Sequence, residues 1–135
     1  KNATVPKKDV VFNEHLVEWD KELYLVEGVF DAIISRKNAV PILGSSINDE
    51  FKLFRKIIKN KTPVVIALDA DARKKALTMA NKFIIFGIEV RFIDWKEGED
   101  RDIAEIGSEE FMKIASSGAL RNVEFKDTIK ERMFR

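Results

Sequence analysis

Residues 64–71 read Val-Val-Ile-Ala-Leu-Asp-Ala-Asp, an apolar run followed by two aspartates one residue apart. A run that is apolar at every position is typical of a β-strand covered on both faces, as strands of parallel sheets are. The run therefore predicts a buried strand that ends near Leu68. Asp69 and Asp71 follow directly, and two carboxylates spaced in this way point in the same direction only in the extended or loop backbone just past a strand.

Three further runs have the length of strands, at residues 23–26, 39–43 and 88–93. The first two are again apolar nearly throughout. The third alternates apolar and polar residues, which predicts an edge strand or a strand covered on one face only.

Helical patterns lie between these runs, at residues 29–36, 49–59 and 73–86. The last of them stops at Gly87, a residue well suited to cap the C-terminus of a helix. Strand and helix therefore alternate along the chain. This order predicts an α/β, Rossmann-like fold with a central four-stranded, mostly parallel sheet flanked by helices.

The remaining segments suggest how the chain is divided. Residues 1–22 have no clear period and are expected to be an N-terminal extension packed on the core. Residues 23–118 form the core domain, including a predicted helix at 108–115. Residues 119–135 are predicted to be a C-terminal helix, in which Phe125, Ile129 and Met133 are spaced by four.

The composition is that of a globular protein with a real core: 135 residues, of which 45% are hydrophobic and 35% charged. No apolar run approaches the ~18 residues of a membrane span, and the first residues lack the apolar core of a secretory signal. There is no cysteine, which excludes disulfides and cysteine-ligated zinc. We therefore expect a cytoplasmic location. Because the chain opens on Lys1, we also expect a piece of a longer protein.

Acidic residues follow three of the four predicted strands. The first strand ends at Glu27, the third at Asp69 and Asp71, and the fourth leads into an acidic loop that reaches Asp102. The C-terminal ends of parallel strands lie at one edge of the sheet, where carboxylates repel one another unless a cation neutralises them. Taken one at a time, each is more readily explained as a solvated turn or, for Asp69, a helix N-cap. Together they predict a Mg²⁺ or Mn²⁺ site for phosphoryl transfer.

Four segments resemble motifs of one family. Residues 25–32 contain Glu-Gly-x-x-Asp-Ala after a hydrophobic strand, and residues 67–76 contain Asp-x-Asp followed by a basic helix. Residues 41–45 end a strand in glycine and serine, and residues 101–105 contain a basic residue, an aspartate and a glutamate. In this order and at these intervals they resemble the TOPRIM domain of DNA primases, over about residues 23–105.

The departures from the family pattern favour its phage branch. Ile103 stands where the family usually has proline, and Asp100 offers a competing register for Asp102 as the last motif acid. The glycine that bacterial primases carry just after Asp-x-Asp is absent, because Ala72 and Arg73 follow directly. The resemblance is therefore closest to phage-type primases.

The resemblance implies a role for each motif residue. Glu27 would act as general acid or base or as a metal ligand, and Asp69 and Asp71 would hold Mg²⁺ or Mn²⁺, with Asp102 as a further ligand. Other residues would support substrate and ligands: Gly28 by letting the substrate approach closely, Lys74 and Lys75 by contacting phosphates, and Asp31 by supporting the ligands from behind. Two of these readings have equal rivals, because Lys74 and Lys75 fit a solvated helix face and Asp31 fits a helix N-terminal acid.

The function that the resemblance implies is synthesis of short RNA primers by a fragment of a larger nucleotidyltransferase. Its partners would be a single-stranded DNA template, ribonucleoside triphosphates and a replicative helicase or helicase domain, in a bacterial cytoplasm or a phage-infected cell. Two alternatives use the same domain: a metal-dependent nuclease of the overcoming-lysogenisation or ribosomal-RNA-maturation type, and a non-catalytic nucleic-acid-binding module. Tyr24, the single tyrosine, lies inside the first strand, which counts against cleavage and religation by a tyrosine nucleophile.

Overall fold

The computed structural model describes residues 10–43 and 51–116 and the backbone of 120–122. These residues form an α/β fold whose elements, in chain order, are β1 (Leu23–Val26), α1 (Val29–Ser35), β2 (Ala39–Pro41), α2 (Lys52–Asn60), β3 (Val64–Ile66), α3 (Arg73–Ile85), β4 (Val90–Ile93), α4 (Ile103–Ile106), α5 (Ser108–Ser116) and β5 (Leu120–Asn122). Short 3₁₀ helices are found at Glu14–Leu16 and Ala70–Ala72.

The sheet runs in the order β2-β1-β3-β4-β5. The first four strands in this order are parallel, and β5 joins β4 antiparallel at the edge. Strand β1 lies inside the sheet, where Leu25 pairs with Val40 on one side and with Ile66 on the other. The predicted four-stranded parallel sheet with flanking helices is thus confirmed, with one antiparallel strand added.

Alternate side chains of β1 enter two separate cores, because successive residues of a strand point to opposite faces. Leu23 and Leu25 join a core built with α2 and α3, where the ring of Phe83 stacks on Phe54 with centroids 5.1 Å apart. Tyr24 and Val26 join a second core on the opposite face, built with α1, α4 and α5. The sheet is therefore covered on both sides, as its apolar runs predict.

The predicted helix limits are close to the observed ones. Helix α3 spans Arg73–Ile85, and the chain turns at Gly87 with φ +82°, a backbone conformation that favours glycine. The predicted stop at Gly87 is confirmed. Helix α2 buries Leu53, Phe54 and Ile57 against the sheet.

Strand β4 is not an edge strand, so the first of its two predicted forms is wrong. It lies between β3 and β5, and its polar residue Arg91 is half-buried. The Arg91 guanidinium donates to both carboxylate oxygens of Glu22, with contacts of 2.8 and 2.6 Å. The alternation of β4 thus comes from a paired charge within the sheet, and alternation alone cannot distinguish this from solvent exposure.

The C-terminal segment differs from its predicted form where it is described. Residues 120–122, which lie inside the predicted helix 119–135, form β5 instead. Three residues containing Arg and Asn are too few and too polar to show strand periodicity in the sequence. The rest of the predicted helix, 123–135, lies outside the described residues, as do Gly44 and Ser45 of the resemblance.

The described part of the N-terminal segment contacts the core. Val11 is buried in the core formed with α2 and α3, and Thr62 donates to the backbone oxygen of Trp19. Glu14 accepts from Lys52 at 2.9 Å and from Lys56 at 3.0 Å. These two lysines of α2 are therefore paired within the chain. Within the described residues, no helix is long and apolar enough to cross a membrane.

Candidate active site

The strand order creates a crevice at the C-terminal edge of the sheet. From β1 the chain moves outward to β2 on one side, whereas from β3 it moves to β4 on the other. Ligands of open α/β sheets bind at the point where the direction of winding changes, which here lies between β1 and β3. Glu27 directly follows β1, and Asp69 follows β3, whose extended backbone continues to Ala67. The predicted first and second motif acids thus lie on adjacent strands at the switch point.

Asp69 reports most directly on the electrostatics of the crevice. Its pKa is raised to about 6, first by burial and then by the negative charges of the carboxylates around it, those of Glu27, Asp31, Asp102 and Asp71. The other acids that the sequence predicts for the site therefore all act on Asp69. A group of carboxylates that repel in this way is relieved by a cation or by protonation.

The carboxylate of Asp69 is not used as a helix cap. Asp69 precedes the 3₁₀ helix Ala70–Ala72, but its side chain makes no capping hydrogen bond to that helix. The alternative of a structural N-cap is therefore wrong, and the oxygens are available to a ligand. Asp71 lies within the same short helix and is exposed.

Asp102 caps helix α4. Its Oδ1 accepts from the backbone N of Glu105 at 2.8 Å, and its own N donates to Glu105 Oε1 at 2.9 Å. This reciprocal capping box holds the carboxylate at the helix start. The charge of Asp102 is among those that raise the pKa of Asp69, whereas Asp100 is exposed; the choice of Asp102 as the last motif acid stays a prediction. The spacing Asp-x-x-Glu is a sequence signal of this cap that could have been recognised.

A cleft of about 400 Å³ opens beside Asp69. It lies between the start of α3 and the loop that follows β4. Among its lining residues are Asp69, Asp71, Arg73, Trp95, Asp102 and Glu105. The mixture of acids, one arginine and an aromatic ring suits a polar ligand that carries a planar group.

Trp95 fixes the loop that forms the outer wall of the cleft. Its indole Nε1 donates to the backbone oxygen of Leu68 at 2.8 Å, directly before Asp69. Asp94 beside it pairs with Arg73 at 3.5 Å. The loop is thus tied to β3 and to α3, a role for Trp95 that no sequence pattern predicts because the partner is a backbone atom 27 residues away.

A Trp95→Phe variant is expected to lose about 1 kcal/mol of unfolding free energy, the usual net value of one hydrogen bond. The loop is expected to move relative to Asp69. Urea unfolding measures the first effect and amide chemical shifts of residues 95–102 the second. Trp19→Phe is the control, because Trp19 packs against the core on one face of the sheet and Trp95 against the core on the other. The amide shifts that this control changes should not include those of the loop. Unchanged loop shifts in Trp95→Phe would refute this role.

Glycine at position 28 is not required by the backbone. Gly28 has φ −135° and ψ 172°, an extended conformation open to any residue. A Cβ added there would lie 3.6 Å from Asp31 Oδ2, which is ordinary contact. The prediction that Gly28 permits close approach of a substrate stays a prediction.

The two lysines predicted to bind phosphate differ in position. Lys75 Nζ lies 3.9 Å from Glu27 Oε1, and both side chains are half-buried. Lys74 is exposed. The first turns of α3 therefore bring one cation, that of Lys75, next to the acid that follows β1.

The chemistry of the donors fits a hard divalent cation, since all are oxygens and Asp69 is held in a repulsive neighbourhood. Among the side chains that the structure describes, however, no three of these groups are close enough together to form a ready-made metal site. Mg²⁺ commonly binds through one or two carboxylates together with waters and substrate phosphates. The acids are thus neighbours that could receive a cation bound to a phosphate.

Fold and site together define an α/β protein with a Rossmann-like parallel sheet and an acidic crevice at its switch point. No family model matches the chain, and a search of curated proteins finds no significant match.

Proposed function

We propose that this chain is the catalytic TOPRIM domain of a phage-type DNA primase. It would join ribonucleoside triphosphates into short RNA primers on single-stranded DNA, in a Mg²⁺- or Mn²⁺-dependent nucleotidyl transfer, beside a replicative helicase in the bacterial cytoplasm or a phage-infected cell. The observation that carries the proposal is the gathering of acids around Asp69 at the switch point, from the segments that follow β1 and β3 and from the start of α4. Burial and the charges of these acids raise the pKa of Asp69.

Each site residue has a task in this reaction. Asp69 and Asp71 would hold the cation, with Glu27 and Asp102 on either side. When bound, the cation supplies positive charge that stabilises the negative charge developing on the phosphate. The 3′-hydroxyl of the primer attacks the α-phosphorus, the bond to pyrophosphate breaks, and the carboxylate of Glu27 accepts the hydroxyl proton. Lys75, close to Glu27, would bind a phosphate oxygen of the incoming nucleotide.

A Lys75→Ala variant is expected to bind a ribonucleoside triphosphate at least about 10-fold more weakly, because a hydrogen bond to a charged group contributes about 1.5–3 kcal/mol. Lys74→Ala is the matched control: it removes the same charge from the neighbouring, exposed position and should change affinity less than about 2-fold. Fluorescence titration with a nucleotide in Mg²⁺ measures both. Equal losses in the two variants would indicate a general charge effect and refute the specific role of Lys75.

The proposal is tested by calorimetric titration of the chain with Mn²⁺ or Mg²⁺, in native form and as Asp69→Ala/Asp71→Ala. The same proteins are assayed for labelled RNA made on single-stranded DNA. We expect metal binding that the double variant loses, together with primer synthesis. No metal binding that depends on these aspartates would refute the catalytic site.

Two other outcomes would identify the alternatives. Metal-dependent cutting of nucleic acid without synthesis would replace the primase by a nuclease that uses water as nucleophile at the same site. Binding of single-stranded DNA with neither metal binding nor chemistry would indicate a non-catalytic module.

A further inference from the structure

Asp31 is one of the few charged residues that the structure buries, with 6% of its surface exposed. Its two carboxylate oxygens accept hydrogen bonds from two different parts of the chain. Oδ2 accepts from the backbone N of Gly28 at 3.1 Å, and Oδ1 accepts from the backbone N of Ala104 at 3.0 Å, a residue 73 positions away.

The two donors lie in segments that carry site acids. Gly28 directly follows Glu27 in the turn after β1. Ala104 lies in the first turn of α4, whose N-cap is Asp102. One side chain thus links the turn that positions Glu27 to the helix that positions Asp102.

Other contacts of α4 do not set this position as closely. Ile103 and Ile106 bury it against the sheet, but apolar burial is not directional. Hydrogen bonds prefer distances within a few tenths of an ångström and near-linear angles. The bond from Ala104 to Asp31 is therefore a directional contact between the start of α4 and the segment that follows β1.

The residue type fits this task. A carboxylate is acceptor-only and offers two oxygens, so it satisfies both N–H groups at once. Asparagine has one acceptor oxygen and would leave one N–H facing a donor. A buried carboxylate next to Asp69 is costly, and its negative charge adds to the repulsion there. The cost of burying the carboxylate and the cost of its repulsion with Asp69 are both explained if the Glu27 turn and the start of α4 must be held in fixed positions.

We propose that Asp31 is a positioning residue that holds the Glu27 turn and the start of α4 together, so that Glu27 and Asp102 face the same bound cation. The inference rests on the proposed function for its consequence, metal binding. The contact itself is independent of that function.

The experiment compares Mn²⁺ affinity by calorimetry in the native chain, Asp31→Asn and Asp31→Glu, at a temperature where all remain folded. We expect both variants to bind Mn²⁺ about 10- to 100-fold more weakly, the usual effect of removing a group that orients metal ligands. Asp31→Glu keeps the charge but displaces the oxygens. Native affinity in Asp31→Glu would show that only the charge matters and would overturn the proposal.

Ser108→Ala provides the matched control. Ser108 Oγ donates to the backbone oxygen of Ile34 at 2.7 Å and thus joins the other end of α1 to α5, across a similar separation in sequence. This variant should lose stability without losing Mn²⁺ affinity. Equal losses of affinity in Ser108→Ala would mean that Asp31 acts only through stability, and would overturn the proposal.

A second readout separates this inference from the proposed function. In ¹H–¹⁵N spectra, Asp31→Asn is expected to shift the amides of Gly28, Ala104 and Glu105. If the native chain binds no Mn²⁺, the proposed function fails together with the metal-binding consequence, and these shifts decide whether Asp31 holds the two segments together. Changes confined to residue 31 and its chain neighbours would refute it.

Discussion

Replacing Asp69 by asparagine is expected to reduce the proposed nucleotidyl transfer by at least about 100-fold, the usual loss of rate when one group that stabilises a transition state is removed. The same change should raise the melting temperature of the metal-free chain at neutral pH. Both effects have one cause. Burial and four other carboxylates oppose the negative charge of Asp69. The charge therefore favours the binding of a cation, and it lowers the stability of the chain when no cation is bound.

The stability effect depends on pH in a defined direction. The pKa of Asp69 is raised to about 6 in the folded chain, from an ordinary value of 3.8. Between these two values the folded state binds more protons than the unfolded state, so the free energy of unfolding falls as pH rises through this window and levels off above it. The stabilisation by Asp69→Asn should therefore be largest above about pH 6 and vanish below about pH 4.

Thermal melts from pH 4 to 8, with and without Mg²⁺, measure this directly. Saturating Mg²⁺ should stabilise the native chain and not the variant. Asp100→Asn is the control, because Asp100 is an exposed acid that lines the same cleft. It should change neither the pH dependence nor the response to metal by much. A variant that melts below the native chain at neutral pH without metal would contradict the electrostatic account of the site.

Replacing Phe111 by alanine is expected to cost about 3–5 kcal/mol of unfolding free energy. Phe111 is fully buried between α5 and the sheet, and its ring meets that of Tyr24 edge to face with centroids 6.3 Å apart. Removing the ring leaves a cavity in the core that also contains Ile103 and Ile106 of α4. Because domains of this size are stable by about 5–15 kcal/mol, the loss is a large share of the total.

Urea unfolding measures this loss, and Met112→Ala is the control on the same helix. Met112 is 43% exposed, so its truncation should change the free energy of unfolding by less than about 0.5 kcal/mol. Because α4 shares this core through Ile103 and Ile106, Phe111→Ala should also weaken Mn²⁺ binding while the protein is still folded. A cost near that of Met112→Ala would mean that the second core is not packed as described.

Much of the fold could be predicted from the chain because its signals are local. The apolar runs that became β1 and β3 are buried on both faces, and the apolar face of α2 and the stop of α3 at Gly87 follow from residues a few positions apart. The meeting of Glu27 and Asp69 could also be predicted, because parallel strands present their C-terminal ends at one edge.

The features that escaped prediction depend on partners distant in sequence. Strand β5 has only three residues and exists because β4 offers an open edge. Arg91 is half-buried because Glu22, 69 residues away, neutralises it. Neither leaves a periodic signal in the sequence, so the alternation of β4 predicted only an edge strand or a strand covered on one face.

The sequence by itself determined the alternation of strand and helix, the apolar cores and the set of acids, because residue type and spacing specify these. Only the tertiary structure decided which acids act on Asp69. It raised the pKa of Asp69 by burial beside four other carboxylates, and it linked Gly28 to Ala104 through Asp31. Charge interactions and hydrogen bonds between distant segments depend on distances of a few ångströms, and those distances arise only when the sheet brings the segments together.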